Sequence, residues 1–207
     1  MTELTKVFGI GYPKTGTKSL AVALKLLGYN VLHDELRLMK DRAIRNELSA
    51  LKDTEFDAFL NVNPKAFFVY DREFPDSKFI LTTRDPNQWV NSVRHWRQKL
   101  DKAIRINDLT IADLFYTDSY SVSVLLEYIE NYSCIATDDE SYIYKFTQHT
   151  EEVKSYFKDR PQDLLILDTS QPNDNHVKLS EFLSIPWPPA RLYPHENRGL
   201  SHFQKHK

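Results

Sequence analysis

The segment Gly9-Ile10-Gly11-Tyr12-Pro13-Lys14-Thr15-Gly16-Thr17-Lys18-Ser19 concentrates groups that bind anions: two lysines, the aliphatic hydroxyls of Thr15, Thr17 and Ser19, and three of the five glycines in the chain. Glycine permits positive φ and lets backbone approach a ligand closely. Ammonium and hydroxyl groups donate to anionic oxygens. If a helix starts within the segment, its N-terminus adds unpaired N–H groups and the positive end of its dipole. The chemistry these features allow is that of a phosphate cradle. Farther along stand Arg84, able to grip phosphate through two parallel N–H bonds, and Ser92, eight residues later. His33 and Asp34 are candidates to accept a proton, His33 because an ordinary imidazole titrates near neutrality.

The comparison that first suggests itself is the Walker A loop, whose lysine directly follows its second glycine. Here Thr17 follows Gly16, and Lys18 comes one place late. This weakens a nucleoside triphosphate reading, in which Lys18 and Asp168 would serve a small-molecule kinase with Mg-ATP. Leu164-Leu165-Ile166-Leu167-Asp168 could pass for a Walker B strand, but the pattern is too common to restore that reading.

Elements must bring these groups together. Five short apolar runs, 6–10, 30–33, 58–62, 78–83 and 164–168, alternate with longer helical patterns. That is the habit of a parallel sheet covered on both faces by helices. The expected fold is therefore α/β, a three-layer α/β/α P-loop-type arrangement around a mainly parallel five-stranded sheet, in a single domain over 1–207. Leu20, Leu24 and Leu27 recur at helical spacing before Gly28, giving a βαβ opening. The segment Glu35 to Lys52 reads as a solvated amphipathic helix. Pro64 starts a helix reaching about Phe74, and Pro86 starts another with Trp89, Val90, Val93 and Trp96 on one face. Residues 101–160 show no strand and many aromatics, and read as a helical insertion able to carry an acceptor pocket. The Pro-rich stretch from Pro186 to Pro194 reads as irregular chain packed on the domain.

Tyr12-Pro13-Lys14-Thr15-Gly16-Thr17 resembles the 5′-phosphosulfate loop of the sulfotransferase family, whose lysine precedes the second glycine by two residues. Lys78 to Pro86, with Ser92 beyond, is similar to that family's strand and helix in which an arginine and a serine eight residues apart bind the donor's 3′-phosphate. Arg84 would emerge at the carboxyl end of a parallel strand, where open α/β sheets bind ligands. Pro194-His195-Glu196-Asn197-Arg198-Gly199 resembles the segment that closes over the donor. The likeness covers most of the chain outside about 101–160.

The resemblance implies sulfuryl transfer from 3′-phosphoadenosine 5′-phosphosulfate (PAPS) to a hydroxyl or amine of a small-molecule or glycan acceptor. Pro13, Lys14, Thr15, Gly16, Thr17, Lys18, Arg84, Ser92, Arg198 and Gly199 would hold the donor, and Lys14 would offset charge on the leaving oxygen. No metal is implied, since a sulfuryl group carries less charge than a γ-phosphate. The general base would be His33 or Asp34. Asn61-Val62-Asn63-Pro64 offers only asparagines where related sequences often carry an acid. A non-catalytic protein binding a nucleotide or sulfated ligand on the same scaffold is the other alternative to the kinase.

Composition narrows the partners. Lys plus Arg (27) nearly balance Asp plus Glu (29), so no global field favours nucleic acid or an anionic membrane. No apolar run approaches the roughly 20 residues that span a bilayer, and Met1 to Lys6 lacks a secretory n-region. One cysteine, Cys134, excludes an internal disulfide and a Cys-based zinc site. His202 and His206, spaced i, i+4, lack a third ligand nearby. A cytoplasmic enzyme is expected, with an oligomer allowed but not indicated.

Overall fold

The computed structural model describes residues 4–33, 51–52, 54–60, 62–105, 138–189 and 191–195, leaving aside the side chains of 96, 97, 99–105 and 172. Five strands form one sheet: β1 (Val7–Gly9), β2 (Val31–Leu32), β3 (Ala58–Leu60), β4 (Lys78–Thr83) and β5 (Leu164–Asp168). Their order is β2-β3-β1-β4-β5, and each of the four pairings is parallel. Among the described residues, five helices of seven or more residues accompany them: α1 (Thr17–Leu26), α2 (Phe67–Glu73), α3 (Pro86–Arg105), α4 (Asp139–Tyr156) and α5 (Asn175–Leu183).

Successive side chains of a strand point to opposite faces, and here both faces are buried. Val7, Leu60, Ile80 and Leu167 meet Leu20 and Leu24 of α1 and Leu179 of α5. Phe8, Phe59, Phe79 and Leu81 meet Phe67 and Tyr70 of α2 and Val153 of α4. Phe8 is the hub of the second face, its ring 5.0 Å from Tyr70, 5.1 Å from Phe59 and 5.1 Å from Phe74. Burial on both sides is why the strands read as unbroken apolar runs, and the three-layer α/β/α arrangement expected from them is what forms.

Three segments refine the expectation. The helix foreseen from Pro64 is a 3₁₀ turn, Pro64–Ala66, capped by the Asn63 side chain, followed by α2. Between β4 and β5 the described chain is helical except for the 3₁₀ turn and loops before β5, but α4 is a layer of the domain itself: Val153 and the following Phe157 lie in the core. The Pro-rich stretch packs on the α1/α5 face through Trp187 and buried Tyr193, with the Trp187 indole N–H donating to the Arg191 carbonyl at 2.9 Å. Most of the foreseen 35–52 helix lies outside the described residues, as do Cys134, His202 and His206. Among the described residues no helix is long and apolar enough to cross a membrane.

From β1 the chain continues to β2 at one edge of the sheet, and from β4 it continues to β5 at the other. Loops leaving the carboxyl ends of β1 and β4 therefore diverge and open a crevice between them, the usual ligand position in open α/β sheets. The glycine-rich loop and Arg84 both arise at that crevice.

Candidate donor-binding site

The loop after β1 is held from behind. At Gly11 any Cβ would fall within 2.6 Å of the Thr82 carbonyl oxygen, so only glycine lets the chain pass β4. Thr15 is fully buried, and its hydroxyl donates to the Tyr12 carbonyl at 2.6 Å while sharing a 2.6 Å bond with the Thr82 hydroxyl. Lys14 and Gly16 both adopt left-handed backbone, with φ of 72° and 94°. Left-handed geometry costs a lysine of order 1 kcal/mol, so the surrounding contacts must impose it.

Those contacts are four consecutive carbonyls, each taken by a side chain. Tyr12 O accepts from Thr15 at 2.6 Å, Pro13 O from the Trp89 indole N–H at 2.9 Å, Lys14 O from Arg84 Nη1 at 3.2 Å, and Thr15 O from the Thr169 hydroxyl at 2.9 Å, which divides its one proton between Thr15 O and Thr83 O at 3.0 Å. Fastening the carbonyls fixes the peptide planes ahead of α1. The helix begins at Thr17 with Gly16 as N-cap, no side-chain cap and no acidic residue in its first turn, a terminus suited to an anion.

Arg84 follows β4 at the rim of the crevice. Its hydrogen-bond partners are neutral, the Lys14 carbonyl and Gln88 Oε1 at 3.3 Å. The adjacent Asp85 carboxylate is turned to the start of α3, accepting from Gln88 N at 2.9 Å. Burial depresses the Arg84 pKa, opposed by the fields of Asp85 and Asp168, and a guanidinium remains charged regardless. Its Nε is buried and without a hydrogen-bond partner among the described residues. Half-buried Ser92 lies one turn beyond Gln88 on α3, on the side that Arg84 reaches.

A family model described as a sulfotransferase domain matches residues 6–202. The chain belongs to the sulfotransferase family. "Ava biosynthesis cluster protein M" of Aspergillus versicolor is 28% identical to this sulfotransferase-family chain over 216 residues, covering 92% of the chain and 80% of that protein. A sulfotransferase from Alicyclobacillus acidocaldarius shares the fold, with a TM-score of 0.51 over 98% of this chain and 88% of the other, at 14% identity.

Within the sulfotransferase framework, the loop Pro13 to Lys18 follows β1, Arg84 follows β4 and touches that loop at the Lys14 carbonyl, and Ser92 lies on the next helix. His33, just past β2, joins them, its Nε2 3.2 Å from the Thr17 hydroxyl. Burial, then the charges of Lys18 and Lys25, lower its pKa to about 4, so the ring is neutral at pH 7. Asp34, Arg198 and Gly199 lie outside the described residues. The Thr15 hydroxyl, expected to face a ligand, is instead a buried brace of the loop.

The residues that hold the loop from behind give little sign of it in the sequence. Trp89 reads in sequence as apolar face alone, yet its indole N–H closes on Pro13. Thr82 and Thr169 give no signal, being single hydroxyls in a strand and a turn. His149 of α4, 1% exposed, places Nε2 2.9 Å from the Ile10 carbonyl; more than a hundred residues separate the two in sequence, so no spacing could join them.

Proposed function

We propose that the chain transfers a sulfuryl group from PAPS to a hydroxyl or amine of a small-molecule acceptor. The observation that carries this reading is the set of four consecutive carbonyls from Tyr12 to Thr15 held by side chains, with the buried Arg84 Nε, unpartnered among the described residues, beside them. Such a loop directs donors and a helix N-terminus at an anion, while Arg84 and Ser92 offer a second anion place suited to a 3′-phosphate. The Aspergillus relative is named for a biosynthesis cluster, which favours a small molecule as acceptor. Balanced charge and the near absence of cysteine support a cytoplasmic setting.

In the proposed step the acceptor oxygen or nitrogen attacks sulfur, the bond from sulfur to the 5′-phosphate oxygen breaks, and 3′-phosphoadenosine 5′-phosphate departs. Lys14 and the first turn of α1 offset the charge that builds on the leaving oxygen, an effect that usually dominates such transfers. Neutral His33 can receive the acceptor's proton. When the Thr17 hydroxyl donates to the phosphate, His33 donates Nε2–H to Thr17, and Nδ1 is the nitrogen left to take that proton. Asp34 is the other candidate base.

Calorimetric titration with 3′-phosphoadenosine 5′-phosphate, ADP and Mg-ATP tests the donor assignment. The 3′-phosphorylated nucleotide should bind most tightly, and Arg84→Ala should cost it about 1.5–3 kcal/mol, roughly 10- to 150-fold, while ADP, which feels only the loosened Lys14 carbonyl, loses less. Tighter binding of Mg-ATP, indifferent to Arg84, would sink this reading in favour of a kinase. Donor binding without transfer across a broad acceptor screen would point to a non-catalytic binding protein.

A further inference from the structure

The chain carries a buried histidine that the proposed chemistry does not use. His149 sits in the middle of α4, with Nε2 2.9 Å from the carbonyl of Ile10. A carbonyl can only accept, so Nε2 bears the proton. Nδ1 is then an acceptor, and it has no hydrogen-bond partner among the described residues. Ile10 is the residue at which the chain leaves the sheet: its N–H still donates to Ile80 O at 2.9 Å, while its carbonyl turns to His149. The next residue, Gly11, is pressed against Thr82, and the ring of Tyr12 lies 4.6 Å from the His149 ring. Tyr12 also stacks on Trp89, whose N–H holds Pro13. A leucine or phenylalanine would fill the same volume. A histidine there leaves one ring nitrogen unsatisfied in an apolar setting, which disfavours a purely space-filling role.

We propose that His149 is a positioning residue of the donor loop, its Nε2–H pinning the Ile10 carbonyl and its ring bracing Tyr12, so that α4 sets the direction in which the loop leaves β1. The proposal rests on the donor reading for its functional consequence, but its structural part can be read without any nucleotide.

Hydrogen exchange on the ligand-free full chain decides the structural part, comparing wild type, His149→Phe and His149→Gln. Glutamine returns an N–H donor near the Nε2 position; phenylalanine returns only the ring. In His149→Phe, exchange across 10–17 should accelerate at least tenfold with 78–83 unchanged, and His149→Gln should regain most of the protection. Titration with 3′-phosphoadenosine 5′-phosphate should then show at least tenfold weaker binding for His149→Phe and a loss under threefold for His149→Gln. Equal loop exchange in all three proteins, acceleration of 78–83 in step with the loop, or failure of glutamine to rescue overturns the proposal. If His149→Phe does not fold, ring nitrogen spectra of the wild type decide: a protonated Nε2 with bare Nδ1 is required, and the opposite tautomer or an averaging ring overturns it. A wild type that binds no 3′-phosphorylated nucleotide sinks the donor reading and leaves the exchange and ring spectra to judge His149.

Discussion

At the residue scale, the loop gives its two threonines different surroundings in a way that composition does not disclose. Thr15 and Thr17 are the same residue type two places apart, and both suit an anion cradle. Their difference comes from Thr82 on the neighbouring strand, which draws the Thr15 hydroxyl inward at 2.6 Å, and from His33, which lies beside Thr17 at 3.2 Å. Thr15→Val keeps the shape of the side chain and removes the partner of the buried Thr82 hydroxyl, leaving the Tyr12 carbonyl only the residue-15 backbone N–H at 3.3 Å, so it should cost about 1–3 kcal/mol of stability. Thr15→Ser, which keeps the hydroxyl, should cost less. Thermal and urea unfolding check this, and a Thr15→Val protein as stable as the wild type would show that the buried pair contributes nothing. Lysine positions and glycine spacing make the loop legible from sequence alone. Its partners are hidden there because they come from β4, α3, α4 and the turn after β5, and single hydroxyls or indoles in such elements have many other uses.

At the scale of elements, strands are the easiest to read, because a strand buried on both faces has no polar alternation to blur it. The βαβ opening is also plain from the Leu20, Leu24 and Leu27 stripe. The role of α4 is less plain: aromatics at helical spacing are core more often than pocket lining, and Tyr142 and Phe146 are indeed buried with Trp89, while Tyr144, 66% exposed, and Tyr156, 40% exposed, face away. Phe146 stacks on Trp89 at 4.6 Å, and Trp89 in turn fastens the loop, so α3 and α4 form the loop's outer wall as a pair. Phe146→Ala should therefore remove about 3–5 kcal/mol from the unfolding free energy. A loss below about 1 kcal/mol in denaturant titrations would mean that the helices do not depend on this stack.

At the scale of the whole molecule, parallel strands and covering helices are foreseeable, but the order β2-β3-β1-β4-β5 is not, since hydropathy along one strand says nothing about its neighbour. That order places β1 and β4 side by side at the crevice, and two histidines, half-buried His33 and buried His149, touch the segment that leaves β1. Burial, reinforced by Lys18 and Lys25, holds His33 at a pKa of about 4. Burial also holds His149 at about 4, with the Ile10 carbonyl and Glu152 opposing and Lys65 reinforcing the effect. In the unfolded chain each imidazole titrates near 6.5, so between about pH 4 and 6.5 the unfolded state binds more protons. Their contribution to stability is therefore fully present above about pH 6.5 and is lost as pH falls through about 4. The slope approaches about 1.4 kcal/mol per pH unit for each histidine. Ordinary carboxylates titrate near 3.9 to 4.3, at the acid edge of this window, which leaves pH 5 to 6.5 to report the histidines. Unfolding free energies measured by urea at several points across that range should decline with acid in the wild type, and His149→Gln should flatten the decline by close to one proton's worth. Parallel curves for the two proteins would show that His149 takes up its proton as readily in the folded state as in the unfolded one, and would remove the buried, neutral histidine from the account of the loop.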